Sequence, residues 1–197
     1  MTRGASILTL AITSEVALIV IAYLISWLCG IELSWSTSAT SLTIGALCAI
    51  PLLVGNHLLW RWTHNNPSSV YARFSREIIV PLCREVTTFQ AFLIGILSGV
   101  GEEVLFRGAL NLIIAHWGGL FLAFLGSSVA FAWVHFIGNT KRWGGMIPLY
   151  TLVGGALWFV WFFTQSLAAA AATHALYNFL AIIWIRRLAL RAAGRAA

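Results

Sequence analysis

The sequence predicts an all-α fold: a polytopic integral membrane bundle of about six transmembrane helices, forming a single domain over residues 1–197. Three observations carry this. Hydrophobic residues make up 60% of the chain and charged residues 9%, with a mean hydropathy of +0.88, far more apolar surface than a soluble domain can bury. The apolar residues also gather in runs of membrane length, for which about 20 residues suffice. Finally, the basic residues are confined to alternate connections, the pattern of the positive-inside rule.

In chain order, the expected spans are Ser6 to Leu28, Ala39 to Trp60, Val86 to Ala115, Gly118 to Ile137, Met146 to Phe163 and Leu167 to Ile185. The first follows a lone Arg3, continues past the length of a secretory h-region through Trp27, and has no persuasive small-residue cleavage site, so it is expected to stay as an uncleaved span. Between the second and third spans lies the longest polar connection, from Arg61 to about Pro81. It opens on the turn signal Asn65-Asn66-Pro67 and continues with Val70, Phe74 and Ile78 at four-residue spacing, which predicts an interfacial amphipathic helix with Arg73, Arg76 and Arg84 near anionic head groups. Tryptophans 27, 35, 60, 62, 143 and 184 cluster near span ends as an aromatic belt would. The alanine run Ala168 to Ala172 predicts close helix packing in the last span.

Positive residues fall at Arg3, in Arg61 to Arg84, at Lys141 and Arg142, and from Arg186 to Arg195, whereas Ile31 to Ser38 and Thr164 to Ser166 carry none. Both termini are therefore expected on the cytoplasmic side. The net charge of +6 is read as facing anionic lipid; no nucleic-acid module is present in the pattern. Cys29, Cys48 and Cys83 are scattered and odd in number, so they predict small buried hydrophobes rather than a disulfide framework or a thiolate metal site.

Against this background three polar patterns interrupt the last four spans: Glu102-Glu103-Val-Leu-Phe-Arg107, Phe131-Ala-Trp-Val-His135 and His174-Ala-Leu-Tyr-Asn178. A charge at the bilayer centre costs at least about 2.5–3.5 kcal/mol on insertion scales, so acids placed there are functional candidates. Adjacent helical residues point about 100° apart, so Glu102 and Glu103 have different tasks. Glu103 and Arg107 stand in the acid-first, four-residue pairing, and His174 and Asn178 share a helix face in the same way. A carboxylate, two imidazoles and a carboxamide in a dry pocket can activate a water and stabilise an oxyanion. The same donors could hold zinc, although His-Glu-x-x-His is absent. A non-enzymatic haem-binding or proton-conducting protein would also carry intramembrane histidines and acids.

Glu-Glu-x-x-x-Arg, Phe-x-x-x-His and His-x-x-x-Asn, in that order on successive helical segments, resemble the CPBP family of intramembrane proteases, also called the CAAX protease or Abi family. The motif-bearing part is about 86–187. The resemblance implies a glutamate-dependent endopeptidase with no cofactor and no catalytic metal, acting on a membrane-associated protein or peptide tail. It implies that Glu102 with His135 activates the water, that His174 and Asn178 form the oxyanion site, and that Glu103 and Arg107 give support. Phe131 is expected to shape the pocket. The compact chain, with no soluble appendage, points to a prokaryotic plasma membrane. One geometric problem is visible at once: in simple straight spans Glu102, His135 and His174 would sit at different depths, and only offset, tilted or broken helices would bring them together.

Overall fold

The computed structural model describes residues 3–194, so Arg195 of the basic tail lies outside the described residues. Its main helices are α1 (Arg3–Leu28), α2 (Ala39–Asn65), α3 (Val70–Phe74), α4 (Val80–Glu85), α5 (Thr88–Glu103), α6 (Asn111–Val134), α7 (Thr140–Trp143), α8 (Ile147–Thr164) and α9 (Leu167–Gly194). Among the described residues there is no strand. Two π-helical turns, Ser75–Ile79 and Val104–Leu110, join α3 to α4 and α5 to α6.

Five continuous helical runs are long and apolar enough to cross a membrane, the third spanning Thr88–Val134 in 47 residues. That run is not one rod. At Gly119 the backbone turns to φ 78° and ψ 172°, a region that glycine enters without the steric penalty of a Cβ. The chain then folds back on itself: the Phe106 and Phe131 rings lie 5.4 Å apart, and the Ile114 side chain faces Gly126. The two segments expected at Val86 to Ala115 and Gly118 to Ile137 are thus the two legs of a helical hairpin, and the expectation of about six membrane helices holds in this form.

Small residues bring the remaining helices together. A Cβ at Gly99 of α5 would lie 2.7 Å from Ala175 N of α9, and Gly45 of α2 abuts the Ala169 backbone inside the alanine run. Side-chain contact between backbones this close is the usual means of helix association in lipid. The ends of α1 and α9 meet at one place: Gly4 packs against Glu85 O, and Arg186 Nε donates to Val86 O at 2.8 Å. Both described termini therefore lie at the same end of the bundle. At the other end Ser166 Oγ donates to Ser36 O at 2.6 Å, joining two loops free of lysine and arginine.

The interfacial segment forms a helix, but with a different buried face from the one expected. The π-helical turn at Ser75–Ile79 inserts extra residues into the register. Ile79, not Ile78, packs with the cluster of Phe74, Phe136, Trp143 and Met146, and Ile78 is exposed. Glu77 is paired with Arg142, tying this segment to α7. Two smaller expectations are corrected as well. Trp143 is core rather than belt, because the α3 segment covers it, and Cys29 is exposed at the end of α1 whereas Cys83 is buried.

Candidate active site

The site is built where α5 ends. Glu102 and Glu103 are its last residues, and the π-helical turn that follows carries Arg107; such turns, rare in general, recur at functional sites. Each glutamate meets a different histidine. Glu103 is fully buried, and its Oε1 accepts from Arg107 Nη1 at 3.2 Å and from His174 Nδ1 at 2.8 Å. Arg107 is equally buried, donates through Nη2 to Gly154 O of α8 at 2.6 Å, and lies over the Phe131 ring at 4.7 Å. These contacts join five helical elements: α5, the π-helical turn, α6, α8 and α9.

Glu102 has no hydrogen bond at its buried Oε2. The nearest basic group is His135, whose Nε2 is 3.6 Å from that oxygen, beyond hydrogen-bonding range. His135 terminates the second hairpin leg, where its Nδ1 lies 2.7 Å from Phe131 O. A carbonyl only accepts, so Nδ1 carries a proton and Nε2 is the ring nitrogen turned toward Glu102. The leg from Leu120 to Val134 spans about 22 Å at 1.5 Å per residue, less than the roughly 30 Å of a bilayer core. The offset of depth that straight spans would impose on Glu102, His135 and His174 is removed by this short leg, together with the entry of His174 only two turns into α9.

His135, His174, Asn178 and Phe131 line one cavity of about 300 Å³, together with Tyr150 and Tyr177. Its outer wall is apolar and includes Phe74, Ile79 and Leu82 of the α3–α4 segment. Glu102 and Glu103 stand behind this lining. Cys83 also borders the cavity, but burial pushes its thiol up to about 12, so it stays protonated and is a poor nucleophile at neutral pH. Among the described residues no three His, Cys, Asp or Glu side chains converge as metal ligands would; the two histidines are divided between two carboxylates.

All seven residues expected at the site thus gather in one region, and Glu103 engages His174 in addition to Arg107. Several partners escaped the sequence reading. Ser98 Oγ accepts from Asn178 Nδ2 at 2.8 Å and so fixes the carboxamide; it stands one turn before Glu102 on the same helix, a spacing that could have flagged it. Asn111 accepts from Trp158 Nε1 at 2.7 Å, bracing the π-helical turn against α8. Glu15 of α1, buried and without a partner at Oε2, packs against Gly101 beside the glutamate pair. No sequence spacing links α1 to α5, so this contact had no local signal.

Neither the comparison with curated proteins nor that with solved structures gives a match. Residues 84–180, about half of the chain, match the family model described as Type II CAAX prenyl endopeptidase Rce1-like. That stretch contains Glu102, Glu103, Arg107, Phe131, His135, His174 and Asn178, and agrees with the family that the three motifs resemble. Through it, this helical membrane protein belongs to the CAAX protease family.

Proposed function

We propose that the protein is an intramembrane endopeptidase that hydrolyses a peptide bond of a membrane-associated protein or peptide tail, with water activated by Glu102 and His135. The observation that carries this reading is the 3.6 Å gap between Glu102 Oε2 and His135 Nε2. Both facing atoms are acceptors in the neutral-imidazole state, so a water beside the pair, within hydrogen-bond reach of both, can donate one hydrogen to each and keep its oxygen lone pairs for attack.

In this scheme the water oxygen bonds to the scissile carbonyl carbon while a proton passes to the Glu102 carboxylate. The carbonyl oxygen becomes an oxyanion, stabilised by donors lining the cavity, among them the Asn178 N–H not used by Ser98. The tetrahedral species collapses, the C–N bond breaks, and the proton held by Glu102 and His135 is delivered to the leaving amine. Glu103, Arg107 and the Gly154 carbonyl hold the glutamate pair in place, and His174 closes the site from α9. An apolar cavity wall suits a substrate chain delivered from the lipid phase. The gathering of arginines at the end where α1 and α9 meet supports cytoplasmic termini.

The test is cleavage of a library of membrane-anchored peptides by the purified, detergent-solubilised protein, beside Glu102→Gln, with bound zinc and haem absorption recorded on the same samples. Cleavage by wild type, lost in the variant and independent of bound metal, is the expected result. Retained turnover in Glu102→Gln removes this mechanism, and activity that tracks stoichiometric zinc replaces it with a metallohydrolase.

A further inference from the structure

Helices α2 and α9 leave the same end of the bundle, where Ser166 Oγ donates to Ser36 O, and run side by side toward the basic end. Near their starts they touch closely: a Cβ at Gly45 would lie 2.3 Å from Ala169 O, and Thr173 Oγ1 donates to Gly45 O at 2.7 Å. About three turns further on they meet through large rings, with the Trp184 centroid 5.6 Å from that of His57 and 5.4 Å from that of Trp60. The pair therefore opens toward the basic end. Two cavities border the opening and share Asn56 and Ala181: the catalytic one and a second of about 320 Å³.

The second cavity is graded along the helix axes. Leu53 of α2 and Ile183 of α9 supply apolar wall, and one turn nearer the basic end their places are taken by His57 and Arg187. Leu180 and Trp184 repeat the step, hydrocarbon first and an amphipathic ring after it. Apart from Ala181 the lining is half-buried to exposed, so the cavity is a groove open on the surface of the bundle. Among the described residues Asn56, His57 and Arg187 make no hydrogen bond or ion pair. Neither α2 nor α9 carries an acidic residue, whereas Arg61 stands one turn beyond His57 and Arg191 one turn beyond Arg187. A cationic mouth above an apolar wall, with no acid on either flanking helix to pair with it, matches an amphiphile with a negative head.

We propose that this groove is a binding site for an anionic glycerophospholipid, distinct from the catalytic cavity and independent of the hydrolytic reading. The head-group phosphate pairs with Arg187, and the ester carbonyls below it accept from the Asn56 carboxamide and the His57 ring. One acyl chain lies along Leu53, Leu180 and Ile183, with Trp184 at the boundary between head and chain. A zwitterionic lipid offers the same phosphate but brings its own cation to Arg187, so the site discriminates by net charge. Because Asn56 and Ala181 also border the catalytic cavity, the bound lipid backs onto the space that His174 and Asn178 line.

The test is quenching of tryptophan fluorescence in the full chain, held in vesicles of phosphatidylcholine and phosphatidylglycerol in which one lipid or the other carries bromines on its acyl chains. Subtracting Trp184→Phe from wild type isolates the signal of Trp184. That signal should report phosphatidylglycerol bound about fivefold more tightly than phosphatidylcholine, the effect of one arginine beside an anionic head group. Arg187→Gln should erase the preference. Arg3→Gln, on α1 at the same end of the bundle, should keep it. Equal affinity for the two lipids in wild type overturns the proposal. So does an equal loss in Arg187→Gln and Arg3→Gln, which would mean diffuse attraction by the whole basic face. Excess inorganic phosphate should leave the quenching unchanged, and displacement of the lipid by it would assign the groove to a soluble anion instead. A Trp184 that neither bromolipid reaches would mean a groove covered by protein, such as a second copy of the chain, and overturns the site as well. Peptide cleavage enters none of these readouts, so Glu102→Gln decides the hydrolytic reading separately.

Discussion

Glu102 and Glu103 are neighbours in sequence and opposites in setting. Glu103 is sealed, with an arginine and an imidazole donating to one oxygen, and its histidine partner has a side chain only 4% exposed. Glu102 faces His135 across 3.6 Å, and that imidazole is 28% exposed. Glu103 too has a buried Oε2 without a hydrogen-bond partner, but its Oε1 is committed to Arg107 and His174, and separating it from Arg107 would leave a buried charge unpaired. A carboxylate with an open acceptor beside an open imidazole can bind and polarise a water. The pair of acids thus divides into a fastening and a tool, separated by the 100° turn between adjacent helical positions.

The comparison breaks most visibly at the looser pair. Glu102→Gln and His135→Asn should each lower kcat by about 10²–10⁴-fold, the range for a general base, and the double variant should be no slower than the worse single one, because the two act on one water. Additive losses measured in that cycle would mean separate tasks. Next in size, Glu103→Gln should destabilise the fold by about 3–5 kcal/mol, since it leaves Arg107 buried without its counter-charge; denaturant unfolding in detergent measures this. Gly119→Ala tests the hairpin that brings His135 into place: the positive-φ, extended backbone there, essentially confined to glycine, should cost about 1–3 kcal/mol with a Cβ added, while cleavage per folded molecule persists. Smallest of all, Ser98→Ala should cost about 1 kcal/mol and reduce kcat by less than about tenfold through a loosened Asn178, seen as a change in kcat with little change in KM.

Much of this arrangement was legible in the chain itself. Composition and run length are enough to define a helical membrane protein, and the four-residue spacings of Glu103 with Arg107 and of Phe131 with His135 appear directly as contacts. The hairpin at Gly119 was legible as a division between two spans, though its effect on depth was not, because depth depends on how far the short leg runs before His135. Pairings between helices had no signal at all: the hold of Glu103 on His174, Ser98 on Asn178 and the packing of Glu15 on Gly101 each join residues more than 70 positions apart. The π-helical turns were equally hidden, since a register slip of one residue, which moves Ile79 inward in place of Ile78, leaves the apolar pattern almost unchanged.

The central claim, that Glu102 is the tool and Glu103 the fastening, is tested most directly by measuring unfolding and peptide cleavage on the same preparation of Glu102→Gln. An unfolding midpoint at or above that of wild type is expected, because a buried carboxylate without a hydrogen-bond partner is replaced by an uncharged amide, together with loss of cleavage. A variant that loses stability and activity together, or one that still cleaves, would contradict it.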